Sequence, residues 1–69
     1  MTVDELRVHL THLITTYVAD LAARERLLAY VAREDVPAKG ILVDLHPYFS
    51  GRITEADGDL IKDIAYYFL

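Results

Sequence analysis

The chain contains neither glycine nor proline between Val3 and Val36. Apolar side chains recur through this interval at steps of four and three residues, which places them along one buried face of an α-helix. That face consists of Leu6, Leu10, Leu13, Tyr17 and Leu21, widened by Ile14 and Val18. Two arrangements satisfy the pattern: one helix about 45 Å long, or two shorter helices with Asp20 as the N-terminal cap of the second.

Helix starts are marked by side chains that can accept from free backbone N–H groups. Thr2 and Glu5 have the spacing of a capping box, in which the hydroxyl and the carboxylate each accept from a backbone donor. If Asp20 caps a second helix, its apolar residues are Leu27, Leu28 and Val31. Thr54, with Asp57 as the carboxylate of a second capping box, predicts the start of the last helix. The apolar residues of that helix are Leu60, Ile61, Ile64, Ala65 and Phe68.

The two prolines bound a third helix. Pro37 fits its first turn, because the N–H that proline lacks would have no partner there. The apolar face of this helix is Ile41, Leu42 and Leu45. Pro47 is expected to end it, since the ring clashes with the carbonyl four residues earlier, and the residues from His46 to Arg52 predict a loop. The sequence therefore predicts an all-α fold, a small bundle of three or four helices forming a single domain over residues 1–69.

A chain of 69 residues has few ways to stabilise its fold. So short a domain removes only about 60% of its unfolded surface from water. It has no cysteine, which excludes both a disulfide and a thiolate zinc site. Its apolar fraction is 54%, above the usual range of about 45–50%. We therefore expect that some apolar surface is meant for a partner.

The N-terminal residues and the apolar runs predict where the protein resides. No run approaches the roughly 18 apolar residues of a membrane span. Asp4 and Glu5 precede Arg7, which is not the basic-then-apolar order of a secretory signal. We expect a cytoplasmic protein without membrane contact.

The negative charge of the chain lies in its second half. Residues 1–33 carry four arginines and four carboxylates, whereas residues 34–69 carry three basic and seven acidic residues, which accounts for the net charge of −4. An acidic half repels phosphate backbones, because nucleic-acid binding depends on lysine and arginine. Direct nucleic-acid binding is therefore not expected. A protein with a basic surface, such as a toxin, a nuclease or a DNA-binding protein, is the expected partner.

Residues that bear chemistry are few. His9 and His12 have a spacing that can hold a metal, but two ligands without a third favour ordinary solvent-facing side chains. Glu55, Asp57 and Asp59 lack the order of ligands of a calcium loop and are better explained as carboxylates complementing a helix dipole. No nucleophile or phosphate-binding motif is present. The sequence thus predicts no catalytic residue, no metal site and no cofactor, and the chain is not expected to be an enzyme.

Tyrosines provide the strongest binding signal, since the ring can fill a partner's pocket while the hydroxyl stays hydrogen-bonded. Tyr17 and Tyr30 are expected at the edge of the core. Tyr48, Tyr66 and Tyr67 flank the predicted loop and the acidic helices, where they would be accessible. The predicted partner-binding surface consists of Glu34, Asp35, Asp44, His46, Tyr48, Glu55, Asp57, Asp59, Tyr66 and Tyr67.

From Tyr30 onward the chain carries a pattern of residues at fixed distances. An aromatic and an aliphatic residue precede a Glu, which is followed by an Ala four and a Leu eight positions later. Further on, an Ile precedes a Thr, and an Ile and an Ala lie four apart. These positions are Tyr30, Val31, Glu34, Ala38, Leu42, Ile53, Thr54, Ile61 and Ala65. In this pattern the chain is similar to the small helical immunity proteins of the MafI type. Pro37 and Gly40 depart from the pattern, in a segment that should be continuous helix. The resemblance implies a cytoplasmic protein that neutralises a cognate bacterial toxin, often a nuclease.

Two other function classes fit the same residues. One is a phage- or host-encoded regulatory protein that binds and inhibits a transcription factor or a defence nuclease. The other is a structural dimerisation module, in which the first helix pairs with its copy along Leu6, Leu10, Leu13 and Tyr17.

Overall fold

A computed structural model, which describes all 69 residues, contains four helices and no strand. The helices are α1 (Val3–Tyr17), α2 (Leu21–Val31), α3 (Ala38–Phe49) and α4 (Glu55–Phe68). The predicted all-α bundle is confirmed, with four helices rather than three. None of them combines the length and the apolar character that crossing a bilayer requires.

The first part of the chain forms two helices, not one long helix. α1 begins with the predicted capping box: the backbone N–H of Glu5 donates to the Thr2 hydroxyl at 3.1 Å, and the backbone N–H of Thr2 donates to the Glu5 carboxylate at 3.0 Å. The Thr2 backbone N–H, followed by its hydroxyl, lowers the pKa of Glu5. Asp20 accepts from the backbone N–H of Ala23 at 2.9 Å and so starts α2, a local bond that competes with continuation of α1. Leu21 lies on the exposed side of α2, so its prediction as part of the buried face is wrong.

Only one of the two prolines bounds α3 as predicted. Pro37 lies immediately before the helix. The prediction that Pro47 ends the helix is wrong: α3 continues through Phe49, and the loop occupies residues 50–54 instead of 46–52. Phe49 is buried and packs edge to face on the Tyr17 ring, with 5.1 Å between ring centroids. This packing offsets the backbone hydrogen bond that Pro47 cannot donate.

α1 and α3 form the centre of the bundle. Each contacts the other and also α2 and α4, whereas α2 and α4 do not touch. Arg7 connects α1 to the end of α2, because its guanidinium donates to the carbonyl oxygens of Val31 at 3.2 Å and Arg33 at 2.9 Å. The buried apolar core consists of Leu6, Leu10, Leu13, Ile14, Tyr17, Val18, Ala23, Leu27, Val31, Ala38, Ile41, Leu45, Phe49 and Ile64.

The apolar face of α1 is a large part of this core. Leu6, Leu10, Leu13 and Tyr17 are all buried. These residues were the predicted seam of a dimerisation module. In the folded chain, other helices of the same molecule already cover this face.

Candidate protein-binding groove

The inner side of α4 is connected to α1 by a hydrogen-bonded carboxylate. Asp57 lies in the first turn of α4 and is only 9% exposed. One of its oxygens accepts from the Tyr17 hydroxyl at 2.5 Å, and the other lies 2.9 Å from Nε2 of His12. The Tyr17 hydroxyl accepts in turn from the backbone N–H of Thr54 at 3.2 Å. Every buried polar side-chain atom of the molecule has a partner, so this network is complete within the fold.

This network gives Asp57 a different role from the predicted one. The hydrogen bonds from Tyr17 and then His12 favour the charged carboxylate and lower the pKa of Asp57. Thr54 caps α4 as predicted, accepting from the Asp57 backbone N–H at 3.1 Å. The second bond of the predicted capping box is not made, because the Tyr17 hydroxyl accepts the Thr54 N–H instead. Asp57 is therefore a structural residue and not part of an accessible partner-binding surface.

A hydroxyl, an imidazole and this carboxylate lie in series, an order also found in hydrolytic triads. Thr16 Oγ1 lies 3.4 Å from Nδ1 of His12, whose Nε2 faces Asp57. None of the surface depressions is lined by these three residues. His9 and His12 also gain no third ligand, since no group of three or more His, Cys, Asp or Glu side chains could hold a metal. The arrangement joins two helices.

The other predicted carboxylates are spread over the molecule. Glu34 and Asp35 are exposed in the segment after α2, where Arg7 donates to the Glu34 carbonyl at 3.4 Å. Asp44 lines a small separate depression, together with Arg33 among others. Neither group belongs to α4, and α2 does not touch α4. The predicted carboxylates are thus divided between the segment after α2, α3 and α4.

The α4 carboxylates do form a continuous row, which we call the acidic stripe: Glu55, Asp59 and Asp63. These residues are all exposed, and their spacing of four places them on successive turns of one helix face. Tyr67 lies one further turn along the same row and is 56% exposed. The stripe includes two of the predicted binding carboxylates, Glu55 and Asp59.

The largest depression on the molecule is a groove of about 790 Å³ between α3 and α4. One wall comes from α3 and the other from α4, and Ile53 contributes from the loop between them. The apolar and glycine lining is Leu42, Val43, Pro47, Phe49, Ile53, Gly58, Ile61 and Leu69. Val43 is 62% and Leu69 58% exposed. The groove is thus an open apolar cleft and not an enclosed cavity.

The charge of the groove is opposite to that of the whole molecule. Its charged lining residues are Lys39 on α3 and Lys62 on α4, which are the two lysines of the chain. His46, a predicted binding residue, adds an imidazole to the α3 wall. No side-chain carboxylate lines the groove, although the chain has 11 aspartates and glutamates. The cleft therefore presents an apolar strip between two ammonium groups.

Two of the predicted binding tyrosines are accessible. Tyr66 is 82% exposed, and its ring meets that of Tyr67 edge to face with 5.0 Å between centroids. Tyr66 lies one turn after Lys62, so it extends the α4 rim of the groove. Tyr17 is buried and Tyr30 is partly buried against the core, as predicted. Tyr48 was expected to be accessible, but it too is partly buried, because it packs against the core.

The sequence did not predict the groove. Lys39, Val43 and Lys62 come from two helices, and the local pattern of neither helix indicates which of its side chains will face the other. The one signal was the surplus of apolar residues, which predicted uncovered apolar surface without giving its place.

The chain was compared with protein-family models, with curated proteins and with solved structures, and no match was found. Its function is therefore inferred from the groove and from the surfaces beside it.

Proposed function

We propose that this chain is a non-catalytic protein-binding domain that inhibits a partner protein, and that the partner docks on the α3–α4 groove. The open apolar groove is the observation that carries the proposal. A contiguous exposed apolar surface on a small domain is typical of an interaction site. A cleft between two helices is also a recurring seat for a segment of a partner. Tyr66 on the rim belongs to a residue type enriched among the side chains that dominate binding energy.

Among inhibitors, we propose an immunity protein that neutralises a cognate toxin in the cytoplasm. The resemblance to MafI-type immunity proteins supports this choice, and three of its positions, Leu42, Ile53 and Ile61, line the groove. The acidic stripe runs along the same helix that forms one wall. It would steer the chain toward basic residues around the docking site, which nuclease toxins expose where nucleic acid lies.

Affinity capture from the native host, followed by reconstitution with the purified partner, tests this function. Val43→Ser removes an apolar side chain from the groove. Val8→Ser is its matched control, because Val8 is also an exposed helical valine, at 67%, and does not line the groove. Losing the burial of one valine corresponds to about a tenfold weaker affinity. We expect that loss for Val43→Ser and unchanged binding for Val8→Ser.

The recovered partner should be a toxin whose activity the wild-type chain blocks in a one-to-one mixture. Equal weakening by the two valine substitutions would show that the groove is not the docking site. Recovery of a transcription factor or a defence nuclease instead of a toxin would replace the immunity function by the regulatory one.

A further inference from the structure

The sign of the charge in the groove indicates the chemistry of the segment that fits it. Building on the proposed function, we propose that the occupant of the α3–α4 groove is an acidic amphipathic helix of the partner, with one apolar stripe flanked by carboxylates. The net charge of −4 would lead one to expect a basic segment of the partner at the contact, whereas the groove favours an acidic one.

The shape of the groove favours a helix. α3 has 12 residues and α4 has 14, so the walls are about 18–21 Å long. A helix of about 12 residues spans that length and presents apolar side chains at i, i+3 or i+4, and i+7. An extended strand of the partner would gain few main-chain hydrogen bonds in the groove. The backbone groups of both walls are already hydrogen-bonded within their own helices and cannot pair with a strand.

The lysines favour carboxylates on that helix. Lys39 and Lys62 lie on opposite walls, and neither forms an ion pair within the chain. Their alkyl stems can lie along the apolar strip while the ammonium groups reach its edges. A helix with glutamates on both flanks would give each ammonium an opposite charge, whereas a basic helix would place like charges against both walls.

Gly58 supports close approach of a helix to the α4 wall. Glycine within a helix is destabilising by about 0.5–1 kcal/mol relative to alanine. A Cβ atom at Gly58 would meet nothing within 4 Å, so packing within the chain does not require glycine there. Because Gly58 lines the groove, its missing side chain leaves room for the occupant.

A second copy of the chain fits the groove less well. Two grooves facing each other across a two-fold axis would bring the lysines of both copies to one interface and supply no side-chain carboxylate from the lining. The exposed acidic stripe of a copy would bring carboxylates but no apolar stripe to fill the cleft. The occupant is therefore a segment of a different protein.

Two synthetic peptides test the inference on the full-length chain. Both have 15 residues and the same leucines at i, i+3, i+4 and i+7; one has glutamate and the other lysine at the flanking positions, and each carries a fluorophore for anisotropy titration. We expect the acidic peptide to bind at least about tenfold more tightly than the basic one. Lys62→Glu should weaken the acidic peptide, and Lys39→Glu combined with Lys62→Glu should reverse the preference.

Three controls locate the binding. Arg26→Glu makes the same charge change at an exposed residue of α2 and should leave both affinities unchanged. Val43→Ser should weaken the acidic peptide, and Val8→Ser should not. Circular dichroism melts check that each variant is folded, which is expected because both lysines are exposed.

Several results would overturn the acidic helix. They are equal or tighter binding of the basic peptide, no binding of the acidic peptide at millimolar concentration, an equal effect of Arg26→Glu and Lys62→Glu, and a concentration-dependent dimer that Val43→Ser abolishes.

The purified partner separates this inference from the proposed function. If its affinity falls with Val43→Ser but not with Lys62→Glu, the acidic helix is wrong and the docking site stands. If neither substitution matters, the docking site itself is wrong.

Discussion

α1 and α4 are amphipathic helices of nearly equal length, 15 and 14 residues, and the bundle uses them differently. α1 places five side chains in the buried core, whereas Ile64 is the one fully buried apolar side chain of α4. α4 instead leaves Tyr66 and Tyr67 exposed, and Leu69, which directly follows it, is exposed as well. Amphipathic spacing therefore does not separate a helix that closes the core from one that is available to a partner. What separates the two kinds of helix is how far the rest of the chain covers the apolar face.

The sharpest contrast is between a leucine of α1 and the leucine that directly follows α4. Leu13 is fully buried on α1, and Leu69 is exposed just after α4. Leu13→Ala should lower the free energy of unfolding by about 3–5 kcal/mol, through lost burial and the cavity left behind. That is enough to unfold much of so small a domain. Leu69→Ala should change it by less than about 0.5 kcal/mol. Urea denaturation measures both, and equal losses would mean that α4 belongs to the core as fully as α1.

The next largest effect concerns the network that joins the two helices. Tyr17→Phe removes the hydroxyl that donates to Asp57 and accepts from the Thr54 N–H. It leaves the packing of the ring on Phe49 in place. A buried group that loses its partner costs about 1–3 kcal/mol, so we expect that loss of stability in urea denaturation. Tyr66→Phe is the matched control and should have no measurable effect, because Tyr66 is exposed. A stability unchanged by Tyr17→Phe would contradict the structural role of the network.

The pH dependence of stability sharpens the same point. The pKa of Asp57 is lower in the folded chain than in the unfolded chain, where Asp titrates at about 3.9. The stability that Asp57 contributes is therefore fully present above the pKa of the unfolded chain. It is lost as the pH falls through the lower pKa of the folded chain. Between pH 6 and pH 3 the free energy of unfolding should fall more steeply for the wild type than for Asp57→Asn. Parallel pH profiles of the two would show that the carboxylate does not stabilise the fold.

The smallest effects come from two helical glycines. A Cβ atom added at either Gly40 or Gly58 would have no other atom within 4 Å, so alanine at either site should raise the free energy of unfolding by about 0.5–1 kcal/mol. Gly58 lines the groove and Gly40 does not. Gly58→Ala should therefore weaken partner binding, whereas Gly40→Ala should leave it unchanged. If the two variants bound the partner with equal affinity, the glycine at position 58 would not be explained by the room it leaves in the groove.

The sequence predicted what depends on neighbouring residues. Thr2, Asp20 and Thr54 marked the starts of three helices, since a capping bond spans only three positions. Pro47 was mispredicted, because the local penalty of a proline is offset by the packing of Phe49 on Tyr17, a residue from another helix. The same limit applied to Asp57, whose carboxylate faces Tyr17 across 40 residues of sequence.

The binding surface was predicted only in part, for the same reason. Tyr66 and Tyr67 were expected to be accessible and are exposed. Lys39 and Lys62 were not singled out, because their importance arises only where α3 and α4 come together. Charge counted along the chain indicated a basic partner, whereas charge mapped onto the groove has the opposite sign.

Amide hydrogen exchange of the full chain, with and without its purified partner, tests most directly whether the partner docks on the α3–α4 groove. Increased protection is expected in peptides covering residues 39–47 and 58–69, with no change over α2 at residues 21–31. Protection concentrated on α2, or none on α4, would contradict docking at the groove.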